Sequence, residues 1–294
     1  MTSELIPIGI QPVGYRLPEQ ARVGQVRLQV ADLSKSLPYY ADVLGFSVSA
    51  REDGVAVLAT ADGAPLIELH EQTGIRRVPR HGRLGLYHFA ILLPDRQALG
   101  RFVAHLADIG ANAGSADHLV SEALYLADPD GLGIEVYADR PRAQWKTNGR
   151  EIAMVTEPLD LRALVRAGSG LPWTGMPAGT TIGHVHFHVA TLRDAEVFYH
   201  SALGFDKVVW SYPGALFFSA GGYHHHVGTN TWAAGAPAAT AHDARLIEWE
   251  LRLPSVADIA AATANALRAG YEIDQAGDDR LITDPSGITV RLTT

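Results

Sequence analysis

Ile182-Gly183-His184-Val185-His186-Phe187-His188-Val189 repeats, 159 residues on, the frame of Val23-Gly24-Gln25-Val26-Arg27-Leu28-Gln29-Val30. The same offset carries Val30, Leu33, Tyr40 and Leu44-Gly45-Phe46 onto Val189, Leu192, Tyr199 and Leu203-Gly204-Phe205. The chain is therefore a duplication. Within the shared frame the second copy puts histidine where the first has glutamine, and that exchange points to a metal site.

A second repeat follows each of these stretches. Tyr87-His88-Phe89-Ala90-Ile91-Leu92-Leu93-Pro94 reads as an apolar strand, followed by a helical stretch from Gln97 to Ile109 and a turn, Asp128-Pro129-Asp130-Gly131, entering the strand Ile134-Glu135-Val136-Tyr137. Near the C-terminus, Glu248-Trp249-Glu250-Leu251-Arg252-Leu253-Pro254 leads into a helical stretch from Val256 to Ala269, then Asp284-Pro285-Ser286-Gly287 and the strand Thr289-Val290-Arg291-Leu292. Four units result, each a strand, a helix and three strands: 20–73, 83–140, 181–235 and 243–294. In chain order they form two pairs, 20–140 and 181–294, joined by a linker over 141–180.

Composition narrows the function classes. At 294 residues, 47% hydrophobic and 19% charged, the chain has the make-up of a folded protein of about two domains. A net charge of −8, with no basic run beyond Arg76-Arg77 and nearby Arg80, argues against a nucleic-acid partner. No apolar run approaches the roughly 20 residues that span a bilayer. Met1-Thr2-Ser3-Glu4 lacks a basic segment before an apolar one, so a cytoplasmic protein is expected. Cysteine is absent, which removes disulfides, thiolate ligands and a cysteine nucleophile together. Any metal must then use His, Asp, Glu or water, and thirteen histidines supply the stock.

The linker is rich in turn residues, Pro141, Gly149, Pro158, Gly168, Gly170, Pro172, Gly175, Pro177 and Gly179 among them. Asp160-Leu161-Arg162-Ala163-Leu164-Val165-Arg166-Ala167 reads as a short helix, with Asp160 or Thr156 as its cap and Gly168 as its stop. A connection of this length is expected to pack on a domain or on another subunit.

The repeated strand-helix-three-strand units, with their DPDG-type turns before the last strand, resemble the vicinal oxygen chelate superfamily of glyoxalases, bleomycin-resistance proteins and extradiol dioxygenases. The resemblance covers nearly the whole chain. It implies an α+β fold of four βαβββ units paired into two open barrels, with metal ligands on the first and last strands of each unit. The positions it singles out are Gln25 and Glu68, His88 and Glu135, His184 with the run His224-His225-His226, and Glu248 with Arg291. If units pair in chain order, Gln25, Glu68, His88 and Glu135 form a glyoxalase-like set for zinc or nickel. If the second and third units pair, His88, Glu135 and His184 form the two-histidine, one-carboxylate set that leaves positions open on non-haem iron(II), or on manganese(II). The second pairing is preferred, because the segment from His118 through Tyr125 to Tyr137 resembles the end of an extradiol catalytic domain. Gly221-Gly222-Tyr223-His224-His225-His226 in turn resembles the segment carrying its acid–base histidine, with His225 the best match. The order of unit types is reversed relative to the usual catalytic domain, and closest to catechol 2,3-dioxygenase-like proteins of the CatE type.

These resemblances imply a ring-cleaving dioxygenase that takes a small aromatic substrate and O2. His225 would move a catechol proton, Tyr125 would stabilise charge developing on oxygen, and His118 would stand behind the ligands. Tyr87, Phe89, Trp210, Tyr223 and Trp232 would wall a flat pocket. The other classes are a glyoxalase-like isomerase or hydrolase with a redox-inert metal, and a metal-free protein that binds an aromatic drug or metabolite. A homo-oligomer is the default assembly.

Blander readings stand beside these. The face His184-His186-His188 is also what the polar side of an antiparallel sheet looks like. Strand alternation would set His224 and His226 on one face and His225 on the other, with His226 a candidate fourth ligand. Glu68 and His70 fit an exposed edge strand, Arg291 with Glu248 a polar pair in a retired site, and the two DPDG-type segments simple turns.

Overall fold

A side-chain cap starts each of the five α-helices among the described residues. Asp32, Asp95, Asp160, Thr191 and Ser255 each accept from a backbone N–H in the first turn of the helix that follows. The protein is seen in a computed structural model that describes residues 7–79 and 81–294; the readings made on Met1–Glu4 and on Arg80 lie outside the described residues.

The first unit runs β1 (Arg22–Val30), α1 (Leu33–Pro38), β2 (Ser47–Glu52), β3 (Val55–Ala59) and β4 (Pro65–Glu71). The second runs β5 (Gly85–Leu92), α2 (Arg96–Asp108), β6 (Gly114–Asp117), β7 (Ser121–Ala127) and β8 (Gly133–Asp139). The connection holds a small hairpin, β9 (Thr147–Asn148) with β10 (Glu151–Ile152), then α3 (Leu161–Gly168). The third unit is β11 (Thr181–His188), α4 (Leu192–Ala195), β12 (Asp206–Val209), β13 (Ala215–Ser219) and β14 (Val227–Asn230). The fourth is β15 (Arg245–Arg252), α5 (Val256–Arg268), β16 (Asp274–Ala276), β17 (Asp279–Thr283) and β18 (Thr289–Thr293).

Pairing across the chain gives two eight-stranded open barrels. One has the order β16-β17-β18-β15-β1-β4-β3-β2 and joins the fourth unit to the first; the other, β12-β13-β14-β11-β5-β8-β7-β6, joins the third to the second. The seams are antiparallel, β1 on β15 and β5 on β11. Each barrel thus draws one unit from either side of the 141–180 connection, and the pairs 20–140 and 181–294 follow chain order rather than the sheets. The α+β fold of four βαβββ units is present as expected.

The core lies where the seams face each other. Val26 and Leu28 of β1, Phe89 and Ile91 of β5, Val185 and Phe187 of β11, and Trp249 and Leu251 of β15 belong to one buried cluster. Trp249 is fully buried, with its ring centroid 6.2 Å from that of Phe187. We expect Trp249→Ala to cost about 3–5 kcal/mol of stability, read from chemical denaturation. A loss no larger than that of a surface substitution would show that the sheets are held together elsewhere.

The DPDG-type turns are structural and also tie neighbouring units. Asp128 accepts from the backbone N–H groups of Asp130 and Leu132 and from the Tyr40 hydroxyl at 3.2 Å; Asp284 accepts from Ser286 and Ile288 and from Tyr199 at 3.1 Å. Each tyrosine of an odd unit thereby clasps the turn of the unit that follows it.

Three local readings can be placed, and the last of them needs correction. Gly168 is the last residue of α3, where the sequence set the stop, and it is also the contact point with α2: a Cβ there would sit 2.4 Å from the Arg101 nitrogen, and one on Gly100 would sit 2.1 Å from the Leu164 oxygen. Bare backbone on both helices permits this crossing. The cap is Asp160, while Thr156 Oγ1 instead bonds the Tyr212 hydroxyl at 2.8 Å. Finally, β4 is an interior strand between β1 and β3, so Glu68 and His70 do not stand on an edge; they pair with each other at 2.5 Å.

Candidate active site

Strand alternation builds the site. On β11, Val185 and Phe187 enter the core, so His184, His186 and His188 take the opposite face, where they are only 1–4% exposed. This face is no solvated sheet surface, because the concave side of the barrel encloses it. The antiparallel seam sets His186 across from His88; the parallel pairing of β5 with β8 sets Glu135 beside Ala90; and Tyr125 of β7 lies across from Glu135.

These registers bring together His88, Glu135 and His184. Glu135 Oε2 is 3.0 Å from His88 Nε2 and 3.2 Å from His184 Nε2, and one donor atom from each residue lies within 4.8 Å of the others. The set fits a divalent ion. Two donors at right angles, each about 2.1 Å from an ion, stand about 3.0 Å apart, close to the spacing found. The His88 Nε2 approach to Glu135 is short but not aligned as a hydrogen bond, so this buried nitrogen has no hydrogen-bond partner among the described residues. Burial pushes Glu135 up, but His184 and His88 outweigh it and hold the carboxyl well below its ordinary value. Burial pulls His184 down to about 4. An anionic carboxylate and an uncharged imidazole are the ligand forms a metal requires.

Tyr125 and His118 form a fixed pair beside the cluster. The Val155 carbonyl, 2.6 Å from His118 Nδ1, can only accept, so Nδ1 carries the hydrogen; a neutral His118 then receives the Tyr125 O–H at Nε2, also 2.6 Å away. Burial, and then Glu135, push the Tyr125 hydroxyl well above its ordinary pKa, keeping it protonated.

The histidine triplet departs from strand alternation. Gly221 and Gly222, at φ 61° and 66°, turn the chain ahead of β14, and His224 and His225 leave this turn with their Nδ1 atoms 2.7 Å apart. His225 lies with its ring 4.0 Å from that of His184. His226 points away to Phe205 and accepts from the Ala220 N–H, so it is not brought to the cluster.

Above these groups is a cavity of about 610 Å³ that includes His88, His118, Tyr125, Glu135, His184 and His225 in its lining. Tyr87 and Trp232 are in its wall, as the sequence suggested. Phe89 is not, because alternation on β5 sends it to the core, and neither Trp210 nor Tyr223 lines it. The wall also takes Leu86, Phe217, and Met154 and Thr156 from the long connection. Composition gives no cue to these four, since each is an ordinary apolar or hydroxyl residue. His186 and His188, joined through Asn230 by bonds of 3.0 and 2.6 Å, are further wall residues; their shared face with His184 was the available signal.

The equivalent place in the other barrel is filled differently. Gln25 and Glu68 stand there, apart from His88 and Glu135, with Glu68 held by Arg27 and His70. Arg291 Nε donates to Glu248 at 2.6 Å, and Arg27 donates to the same carboxylate oxygen at 2.6 Å. The expected polar pair of Arg291 and Glu248 is thus present, and guanidinium groups supply the positive charge. Among the described residues His88, Glu135 and His184 form the one cluster of metal-ligand type.

Known proteins resemble this chain in sequence and in fold. The family model of the Glyoxalase/Bleomycin resistance protein/Dioxygenase superfamily matches residues 22–136 and 181–292. A catechol-2,3-dioxygenase of Bacillus subtilis (strain 168) is 42% identical over 272 residues, covering 91% of this chain and 95% of that protein. Glyoxalase I from Zea mays is 16% identical with a TM-score of 0.55, covering 93% of this chain and 92% of its own, and speaks for the fold. The cppA protein from Streptococcus pneumoniae TIGR4 does likewise, at 11% identity, a TM-score of 0.54 and coverages of 92% and 99%. No helix among the described residues is long and apolar enough to cross a membrane. The matched segments are the four paired units themselves, and the chain belongs to the Glyoxalase/Bleomycin resistance protein/Dioxygenase superfamily.

Proposed function

We propose that this chain is a cytoplasmic extradiol dioxygenase that opens a catecholic ring beside its hydroxyls with O2. The observation that carries the reading is the meeting of His88, Glu135 and His184 beside His225 on one cavity. The 42% identity to a catechol-2,3-dioxygenase over nearly the full length supports it.

His88, Glu135 and His184 would hold the metal, with iron(II) the ion best matched to two imidazoles and a carboxylate, and manganese(II), zinc or nickel the alternatives. When bound, the ion would supply a Lewis-acidic, redox-active centre with positions left open for two adjacent oxygens and O2. His225 takes the proton of a catechol hydroxyl and returns it to a developing oxygen anion. Tyr125 keeps a protonated hydroxyl next to Glu135, and turning its one hydrogen from His118 Nε2 to a substrate oxygen steadies charge there. Leu86, Tyr87, Phe217 and Trp232 hold a flat ring and keep water off it. A homo-oligomer is expected as the assembly.

The test is oxygen consumption by anaerobically iron-loaded protein given catechol and its alkyl- and carboxyl-substituted forms. Uptake equal to the substrate consumed, with a yellow ring-fission product, is the expected result. Tight zinc or nickel binding with no uptake on any catechol would overturn the reading in favour of redox-neutral chemistry.

A further inference from the structure

Behind His225 lies a chain of polar groups that none of the roles above uses. Asp139, the last residue of β8, accepts from His224 Nε2 at 2.9 Å and from the Tyr223 hydroxyl at 3.2 Å. His224 is wholly buried, while the Asp139 side chain is 27% exposed. On its other side His224 meets His225, Nδ1 to Nδ1, at 2.7 Å. The far nitrogen of His225 has no partner among the described residues, and the ring lines the cavity.

Hydrogen-bond direction limits how these groups are protonated. An ionised carboxylate only accepts, so the His224 Nε2 bears a hydrogen. Two nitrogens at 2.7 Å share a single hydrogen, since two would collide and none would leave both lone pairs facing. A neutral imidazole with its hydrogen on Nε2 has a bare Nδ1, which accepts. His225 must then donate from Nδ1. The alternative, an imidazolium at His224 paired with Asp139, would put the His225 hydrogen on Nε2 instead and would bury a charge that meets the rings of His184, Tyr137 and Trp145 on its other sides.

We propose that Asp139 and His224 are positioning residues that fix His225 as its Nδ1–H tautomer and so keep a bare Nε2 facing the cavity. This is the form of imidazole less populated in water, so the chain of bonds reverses the intrinsic preference. The consequence for turnover rests on the reading of His225 as the acid–base group; the tautomer itself does not. Tyr223, through its second bond to the Tyr137 hydroxyl at 2.7 Å, braces Asp139 from the side and takes no part in the relay.

The experiment is long-range proton–nitrogen NMR of 15N-histidine-labelled protein loaded with zinc, which is diamagnetic, with the His225 signals identified by their loss in His225→Gln. The wild type is expected to show a protonated Nδ1 and a bare Nε2 at His225. In Asp139→Ala the Nε2–H form is expected to appear, and kcat of the iron-loaded enzyme to fall about 10-fold or more with little change in KM, the scale set by outer partners of a working histidine. Tyr223→Phe is expected to leave the tautomer unchanged. An Nε2–H tautomer in the wild type overturns the proposal, whether or not the variants fold. So does a His225 tautomer that Asp139→Ala does not alter. A shifted tautomer with undiminished kcat would uphold the positioning chain and remove the acid–base role of His225, so the two claims fail separately.

Discussion

Replacing His184 with alanine is expected to yield a folded protein that has lost its metal and its ring cleavage, while Gln25→Ala keeps both. The two positions are equivalent in the repeat, yet His184 lies 3.2 Å from Glu135 and Gln25 lies in the other barrel. Without His184, a metal would retain His88 and Glu135 alone. The loss of activity should exceed the 10–100-fold that outer partners of a ligand command. Elemental analysis after anaerobic purification, with circular dichroism to confirm folding, reads the outcome. Metal kept in His184→Ala and lost in Gln25→Ala would return the site to Gln25, Glu68, His88 and Glu135 and sink the assignment.

His225→Ala should behave in the opposite way, holding its metal and losing turnover by roughly 10²–10⁴-fold. The ring touches His184 but its nitrogens face His224 and the cavity, not Glu135. Its removal leaves the donor set whole. The loss belongs in kcat, since the apolar wall that binds the ring is untouched. Unchanged turnover would show that the substrate sheds its proton elsewhere.

Much of this was legible in the chain because repeats and turns are local. The frame shared by Gln25 and His184 exposed the duplication, and the Asp128 and Asp284 turns marked where each closing strand begins. Glu135 was singled out by the family resemblance, with its place just after such a turn in support. Which strand neighbours β5 was harder, since β1 and β11 carry the same apolar alternation and the choice rests on contacts far apart in sequence. Phe89 was misplaced although the signal was present: alternation past His88 sends it to the core, whereas Tyr87, before His88, still reaches the cavity where the register with β11 shifts between His186 and Phe187. The histidine triplet went wrong for another reason. Two consecutive left-handed glycines end the alternation, and no periodicity in the side chains announces that.

The seams have a consequence for symmetry. A chain of only two such units could build this arrangement as a twofold dimer, the first unit of each copy pairing with the second unit of the other. Every substitution would then appear in both halves, and two identical sites would stand or fall together. Joining the copies through 141–180 removes that constraint. One site can keep His88, Glu135 and His184 while its twin trades histidine for Gln25 and carboxylate for Arg291, holding its charges together without an ion. A single chain can thus dedicate one half to chemistry and the other to scaffold, a division of labour closed to identical subunits.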